Sequence, residues 1–146
     1  MKISEIMTKN VRTLLPDTPV TDALKALLSQ KISGLPVVDD SGKLVGMFTE
    51  KDILKNILPS YVSQVGKFAY ENSPKTVTNK VAKLSELKVS ELMRQDVVEV
   101  SEDTPAYEVA RVMLTQNVRR VPVVDKDKKM VGIVSRSDVL EAVLKR

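Results

Sequence analysis

The residues best suited to chemistry form one motif that occurs twice, a hydroxyl residue followed three positions later by an aspartate. The motif is Thr49-x-x-Asp52 in the first half of the chain and Ser135-x-x-Asp138 in the second half. Its spacing is that of a capping box, in which the two side chains bond the first unpaired N–H groups of a helix. The motif therefore predicts that a helix begins at each of these two places.

A second group of polar residues lies shortly before the second motif. Arg119 and Arg120 are adjacent and precede a run of valines, whereas Ser33-Gly34 occupies the equivalent place in the first half. Adjacent arginines at the start of a strand can bind phosphate oxygens through paired N–H donors. They can equally be solvated charges that protect a sheet edge from aggregation. Both interpretations stay open at this point.

The composition excludes several classes of enzyme site. The 146 residues include no cysteine, histidine or tryptophan. A zinc site of thiolates and imidazoles has no ligands, a Ser-His-Asp or Cys-His pair has no base, and disulfides are impossible. With five glycines and no glycine-rich phosphate loop, an enzyme is the least favoured class, and no metal is expected.

An internal repeat positions these residues. Shifting the sequence by 86 positions aligns 3–56 with 89–142 without a gap, and 18 of the 54 aligned pairs are identical. We refer to these stretches as the first copy and the second copy, and residues 86 apart are called equivalent. Two copies are too few for a solenoid, so a pair that packs together is expected. We predict repeats at 1–58 and 89–146, joined by a connecting segment at 59–88.

Each copy predicts the element order strand, helix, strand, strand, helix. Short strands are expected around 11–14 and 97–100. The next helix should have Thr18 or Thr104 as its N-cap and a proline as its first residue. A single buried face is predicted for it, formed by Val20, Ala23, Leu24, Leu27 and Leu28, or by Ala106, Val109, Ala110, Met113 and Leu114. Two strands joined by a polar turn follow, at 35–38 and 44–48 and at 121–124 and 130–134.

The connecting segment holds most of the surplus charge. It has five basic and two acidic residues, while the two copies are close to neutral within a total of +4. The broad basic face of a nucleic-acid binder is therefore not evident. The segment also contains three of the five aromatic residues, at Tyr61, Phe68 and Tyr70. We expect it to be partly helical and docked, with any preceding helix broken at the Asn72-Ser73-Pro74 step.

These residues, in this order and at one repeated offset, resemble a cystathionine β-synthase (CBS) domain pair, also called a Bateman module. The matching elements are Pro36-Val37-Val38-Asp39 and Gly46-x-x-Thr49-x-x-Asp52, with their equivalents in the second copy. The resemblance implies an α/β (α+β) fold in which the two copies pack through their sheets about a pseudo-twofold axis. It also implies clefts that bind adenine-containing ligands such as AMP, ADP, ATP or S-adenosylmethionine, and a homodimer of two modules.

The resemblance implies roles for particular residues. Asp52 and Asp138 would accept hydrogen bonds from ribose hydroxyls, while Thr49 and Ser135 would face phosphate at a helix N-terminus. The other implied ligand contacts are apolar walls for adenine at Met47, Ile133, Ile32 and Val118, phosphate contacts at Ser33, Arg119 and Arg120, and first-strand contacts at Arg12 and Val98.

Each implied cleft would draw on both copies. The Ser135/Asp138 cleft would include Arg12, Ile32 and Ser33, and the Thr49/Asp52 cleft would include Val98, Val118 and Arg119. Because Arg119, Arg120 and Arg136 lie near the second motif, we expect one cleft to bind a phosphate-bearing ligand more tightly than the other.

The leading hypothesis is a cytoplasmic regulatory module that binds an adenine-containing ligand and signals to a protein partner. The alternatives are a dimerising scaffold that uses no ligand and, less favoured, a nucleic-acid binder that uses the lysines of the connecting segment. No membrane span or secretory signal is expected, since no apolar run is long enough.

Overall fold

The computed structural model describes residues 1–58 and 74–145, which form helices and short sheets in the predicted order. The first copy contains α1 (Val20–Gln30), β1 (Gly34–Val38), β2 (Leu44–Thr49) and α2 (Glu50–Ile57). A helix α3 (Pro74–Ala82) precedes the second copy, which contains α4 (Val89–Leu92), β3 (Val100–Ser101), α5 (Ala106–Thr115), β4 (Arg120–Val124), β5 (Met130–Ser135) and α6 (Arg136–Leu144). This mixture of helices and strands confirms the predicted fold class.

The sheets are small and repeat one arrangement. In the second copy β3 pairs parallel to β4, and β4 pairs antiparallel to β5, with Arg120 opposite Ser135. In the first copy β1 pairs with β2. The strand predicted at 11–14 is reduced to one parallel bridge between Leu14 and Val37, where the Leu14 N–H donates to the Pro36 carbonyl at 2.9 Å. The strand predicted at 97–100 begins only at Val100.

The helices α1 and α5 begin one residue later than predicted. Pro19 and Pro105 are the N-cap residues, so Thr18 and Thr104 lie outside the helices. The Pro19 carbonyl accepts bonds from the N–H groups of Asp22 and Ala23, which places the first turn after the proline. The Thr18 hydroxyl instead accepts a bond from the Leu15 N–H and stabilises the preceding turn.

The predicted buried face of these two helices is also narrower than expected. Val20, Ala23 and Leu27 are buried, but Leu28 is 64% exposed and its equivalent Leu114 is 77% exposed. The prediction that Leu28 and Leu114 belong to the buried face was therefore wrong. The width of the buried face depends on how far the neighbouring element extends over the helix, and hydrophobic periodicity alone does not give that width.

The chain divides into two compact units that cross the boundaries of the copies. Unit 1 is Met1–Thr13, Val38–Val45 and Asp96–Arg146, and unit 2 is Leu14–Val37 and Gly46–Gln95. Each unit thus combines most of one copy with the leading segment of the other copy. The core of unit 1 comprises Ile3, Val100, Val109, Met113, Val121, Val123, Val134 and Val139.

The leading segments are held by equivalent contacts. Ile3 is buried in unit 1 and its equivalent Val89 is buried in unit 2. The Ile3 N–H donates to the Thr104 carbonyl at 2.8 Å, and the Val89 N–H donates to the Thr18 carbonyl at 2.9 Å. The start of each copy is therefore a structural part of the unit that contains the other copy.

Two glycines permit this packing. A Cβ at Gly132 would lie 2.5 Å from the Met7 sulfur and 2.9 Å from the Thr8 carbonyl oxygen. A Cβ at the equivalent Gly46 would lie 2.6 Å from the Met93 sulfur and 2.8 Å from the Arg94 carbonyl oxygen. No side chain fits at either position without a shift of backbone.

The described part of the connecting segment, 74–88, contains helix α3. Helix α3 is followed by a 3₁₀ turn, Lys83–Glu86, in which Leu84 is buried within unit 2. Tyr61, Phe68, Tyr70 and the helix break predicted at Asn72-Ser73 lie outside the described residues. Among the helices of the two described ranges, we find none with the length and apolar character needed to cross a bilayer.

Candidate functional site

The Ser135 motif forms a reciprocal capping box at the start of α6. The Ser135 N–H donates to Asp138 Oδ2 at 2.8 Å, and the Asp138 N–H donates to Ser135 Oγ at 3.1 Å. Both side chains are half-buried. We call these two residues, with Val118–Arg120 before and at the start of β4, the Ser135 corner.

The Thr49 motif also forms a capping box, at the start of α2, and has one further bond between its two side chains. The Thr49 N–H donates to Asp52 Oδ2 at 2.8 Å, and the Thr49 hydroxyl donates to the same oxygen at 3.1 Å. Asp52 is only 7% exposed, and it is the one buried charged side chain in the described part of the chain. We call these residues, with 32–34 before and at the start of β1, the Thr49 corner.

The two corners share one backbone frame. The Arg136 N–H donates to the Arg119 carbonyl at 3.0 Å, and the equivalent Glu50 N–H donates to the Ser33 carbonyl at 2.8 Å. Each bond ties the first residue of the helix to the residue just before the strand. Ser33 therefore lies beside Thr49, and Arg119 lies beside Ser135.

Side chains fill this frame differently in the two corners. A Cβ at Gly34 would lie 2.8 Å from the Thr49 methyl carbon Cγ2 and 3.1 Å from the Phe48 carbonyl oxygen. The equivalent pair is Arg120 opposite Ser135, which has no such methyl group. Threonine, the larger hydroxyl residue, thus lies beside Gly34, and serine, the smaller one, lies opposite Arg120.

The charge of the two corners also differs. Arg119 and Arg120 are exposed, while Arg136 is half-buried and its Nε–H donates to the Val118 carbonyl at 3.3 Å. Across residues 1–58 and 74–145, the ion pairs are Lys2–Asp103, Lys88–Asp17, Arg111–Glu108 and Lys128–Glu99, and none involves these three arginines. The Ser135 corner therefore presents guanidinium groups that no carboxylate of the described residues neutralises at ion-pair distance.

A pocket of about 300 Å³ in unit 1 reaches Asp138. Its lining combines the leading segment with one face of α6: Met1, Glu5, Ile6, Asp138, Glu141, Ala142 and Lys145. Asp138 is the one predicted site residue that lines it. In the described ranges, no cluster of acidic or imidazole side chains is arranged to hold a metal ion.

The predicted adenine walls lie next to the corners. Met47 and Ile133 are half-buried strand residues. Each pairs through two backbone hydrogen bonds with a leading segment, Met47 with Arg94 at 2.9 and 2.8 Å and Ile133 with Thr8 at 2.8 and 3.0 Å. Ile32 is half-buried beside Ser33 in unit 2.

The remaining predicted residues belong to unit 1. Val118 and Val98 pack against its buried core, and Arg12 is exposed. The predicted sharing of each cleft between the two copies stays a prediction.

Sequence reasoning gave no role to several residues that the structure places near the corners. Glu50 occupies the first position of α2, where the second copy has Arg136. Met1, Glu5 and Ile6 line the Asp138 pocket. The signals were available, because the Ser-Glu-x-Met element is shared by both copies and the 86-residue offset pairs Glu50 with Arg136.

The fold and the two corners define the class of protein: a duplicated α/β module in which each copy has a helix that begins with a capping motif. A model of the CBS domain family matches residues 3–59 and again 89–145. The chain belongs to the CBS domain family, and it carries two copies of the domain. It is 34% identical over 143 residues to a CBS domain-containing protein of Dictyostelium discoideum, with 98% of this chain and 91% of that protein covered.

Solved structures of CBS-pair proteins have the same fold. CBSX2 of Arabidopsis thaliana, in a crystal structure in complex with AMP, matches with a TM-score of 0.74 at 31% identity, covering 99% of this chain and 96% of that one. Full-length chloroplastic CBSX2 is longer, and this chain spans 63% of it. The CBS domain pair of protein MJ0100, in complex with 5′-methylthioadenosine and S-adenosyl-L-methionine, matches with a TM-score of 0.67 at 29% identity, covering 98% and 99% of the two chains.

Proposed function

We propose that this chain is a regulatory module that binds an adenine-containing ligand, such as AMP, ADP, ATP or S-adenosylmethionine, at the Thr49 and Ser135 corners. The observation that carries the proposal is the repeated corner itself, a capped helix start tied by one backbone bond to the start of a strand. The AMP complex of CBSX2 and the nucleoside complexes of MJ0100 support the same ligand class.

The roles of the residues follow from their chemistry. Asp138 has access to a pocket and can accept hydrogen bonds from ribose hydroxyls, and we assign the same role to Asp52. The N–H groups at the start of α6 favour a negatively charged group there. We assign adenine contacts to Met47, Ile133, Ile32 and Val118, polar ligand contacts to Thr49, Ser135, Ser33, Arg119 and Arg120, and further ligand contacts to Arg12 and Val98.

Regulation requires that the ligand bind two states of the module with different affinity. A coupling of about 1 to 3 kcal/mol is typical of such proteins. We assign the chain no reaction of its own. The protein partner that responds to the ligand-bound module is to be identified by experiment. The expected cytoplasmic location is likewise a proposal, which fractionation of cells would test.

A ligand panel tests the proposed function. Thermal unfolding of the full chain is measured with AMP, ADP, ATP, S-adenosylmethionine and, as a control, GMP. A ligand at 100 times its dissociation constant adds about 2.7 kcal/mol of stability, which shifts the Tm by several degrees. The variant Asp52→Ala/Asp138→Ala should lose the shift. A Tm that none of the adenine ligands changes would contradict the proposal and favour the ligand-free scaffold.

We also propose that the chain forms a homodimer through its exposed helices. Unit 1 exposes Leu114, Leu140, Val143 and Leu144 on α5 and α6, and unit 2 exposes the equivalent Leu28 and Leu54 on α1 and α2, with Leu58 at the end of α2. Apolar sets at equivalent positions suit a two-fold interface, in which each patch meets its counterpart. Sedimentation should give a dimer for the wild type and a monomer for Leu114→Glu/Leu140→Glu. A monomeric wild type would contradict this proposal.

A further inference from the structure

Three equivalent positions around the corners differ in charge, and at one of them the charge is opposite. The Thr49 corner has Ser33, Gly34 and Glu50, and the Ser135 corner has arginine at every equivalent position, 119, 120 and 136. The backbone is the same in both, as the bonds from Glu50 to Ser33 at 2.8 Å and from Arg136 to Arg119 at 3.0 Å show. At these three positions the Thr49 corner therefore has one carboxylate, that of Glu50, whereas the Ser135 corner has three guanidinium groups.

The three arginines are available to a ligand. None of them pairs with a carboxylate within ion-pair distance in the described ranges. Arg136 uses its Nε–H for the Val118 carbonyl, which holds the guanidinium over the start of β4. Since a guanidinium has five N–H donors, most of its donors stay free to bind a phosphate oxygen.

Protection of a sheet edge is the other explanation for these arginines. β3 pairs with β4 at Val123 and Val124, whereas Arg120, at the start of β4, pairs with Ser135 of β5. Charges at such a strand start can prevent edge-to-edge pairing. That explanation does not account for Arg136, which lies on α6 and donates to the Val118 carbonyl. Three cationic groups next to a capped helix start suit an anionic ligand.

The Thr49 corner is a poor place for phosphate. Glu50 is the first residue of α2 and its carboxylate repels an anion there. The Thr49 hydroxyl already donates to Asp52, which is itself charged and buried. A phosphate group at the start of α2 would meet the carboxylates of Glu50 and Asp52.

We propose that Glu50 and Arg136 determine the ligand charge that each corner accepts. The Ser135 corner takes an adenine ligand that carries phosphate, and the Thr49 corner takes an adenine ligand without phosphate, either uncharged or cationic. This inference rests on the proposed function, and it adds the ligand class of each corner and the residues that select it.

Calorimetric titration of the full chain with AMP and with adenosine tests the inference, because the two probes differ only in phosphate. Arg136→Glu should weaken AMP binding by about tenfold or more, the effect of losing one charge-assisted contact, and leave adenosine binding nearly unchanged. Glu50→Arg should raise AMP affinity at the Thr49 corner by about tenfold and bring the stoichiometry from one AMP per chain to two. Lys126→Glu, an exposed turn residue of unit 1, is the matched control for the change in charge.

The wild type gives a second readout that needs no variant. AMP affinity should fall steeply with added salt, whereas adenosine affinity should not. The inference is overturned if the ratio of AMP to adenosine affinity is the same in wild type, Arg136→Glu and Glu50→Arg, or if salt weakens both probes equally. If neither probe binds the wild type but another adenine ligand of the thermal panel does, the inference alone is overturned; if no ligand of the panel binds either, the proposed function itself is overturned.

Discussion

In the Thr49 corner the aspartate is buried and accepts bonds from both the N–H and the hydroxyl of the threonine, whereas in the Ser135 corner the aspartate is half-buried and accepts a bond from the serine N–H. The backbone bonds that frame the corners differ in length by 0.2 Å, at 2.8 and 3.0 Å. The two copies have therefore kept their geometry while their side chains have diverged. Identical folding of two copies does not make them identical sites.

The divergence is coupled between neighbours. Thr49 accompanies Gly34, and Ser135 accompanies Arg120, because the threonine methyl occupies the space that a Cβ at position 34 would need. The larger charge of the Ser135 corner thus depends on the smaller hydroxyl residue beside it. A substitution that makes one corner like the other has to change both members of the pair.

The largest difference between the corners should appear when each aspartate is removed. Asp52→Ala removes a buried carboxylate and leaves the half-buried Thr49 N–H and hydroxyl without their shared acceptor, so we expect the free energy of unfolding to fall by about 3 kcal/mol. Asp138→Ala removes a half-exposed capping residue and should cost about 1 kcal/mol. Urea unfolding without ligand measures both values.

Asparagine variants are the control for this comparison. Asp52→Asn and Asp138→Asn keep an acceptor oxygen and the side-chain volume, so each should lose less stability than the matching alanine variant. Equal losses for Asp52→Ala and Asp138→Ala would contradict the difference between a buried and a half-exposed carboxylate.

Much of this architecture could be predicted from the sequence, because it depends on local signals. The 86-residue offset, the helix starts at Thr49 and Ser135, and the two-stranded elements were predicted from spacing and turn composition. The predicted start of α1 was one residue too early, because the sequence pattern does not show whether Pro19 is the N-cap or the first helical residue. The exposure of Leu28 and Leu114 depends on where neighbouring elements end, which periodicity does not report.

The exchange of leading segments could not be predicted from local pattern. Ile3 and Val89 look like ordinary apolar residues at the start of each copy, but each is buried in the unit that contains the other copy. Only the two glycines give a sequence signal, since Gly46 and Gly132 are equivalent and lie where a neighbour approaches closely. The hydroxyl geometry at Thr49 and Asp52 likewise required coordinates.

The glycines provide the next test, in which the two units should respond alike. Gly132→Ala places a Cβ 2.9 Å from the Thr8 carbonyl oxygen, and Gly46→Ala places one 2.8 Å from the Arg94 carbonyl oxygen. Because backbone atoms have to move, we expect each variant to lose about 2 kcal/mol of unfolding free energy. Chemical denaturation measures the loss. A large loss at one glycine and none at the other would show that the two segments are not held equivalently.

Shortening the nearby methionine is the control for the glycine variants. Met7→Ala removes the sulfur contact but leaves the Thr8 carbonyl in place. The Met7→Ala/Gly132→Ala variant should therefore recover only part of the loss caused by Gly132→Ala alone. Full recovery would mean that the side chain, and not the backbone, sets the close approach.

A smaller effect should couple Gly34 to Thr49. Gly34→Ala alone meets the Thr49 methyl group at 2.8 Å, and Thr49→Ser removes that methyl group. The double variant should therefore be more stable than the sum of the two single changes predicts, by about 1 kcal/mol. The relief is partial, because the Phe48 carbonyl oxygen stays 3.1 Å away. Strict additivity would contradict the steric coupling that we infer from the Arg120 and Ser135 pair.

The smallest expected difference lies in the turns between the paired strands. Asp39 accepts bonds from the N–H and hydroxyl of Ser41 and from the Lys43 N–H, and these bonds, the Ser41 hydroxyl first, hold its pKa below the usual 3.8. A lowered pKa means that the carboxylate stabilises the fold above the ordinary aspartate value and that this contribution is lost as the pH falls through the lowered pKa. The Tm difference between wild type and Asp39→Asn should therefore shrink from about pH 5 to about pH 2. Ser41→Ala removes the hydroxyl donor, and the equivalent residue in the second copy is Asp127. This variant should therefore show a smaller pH dependence than the wild type. An unchanged pH dependence would show that the Ser41 hydroxyl does not distinguish the two turns.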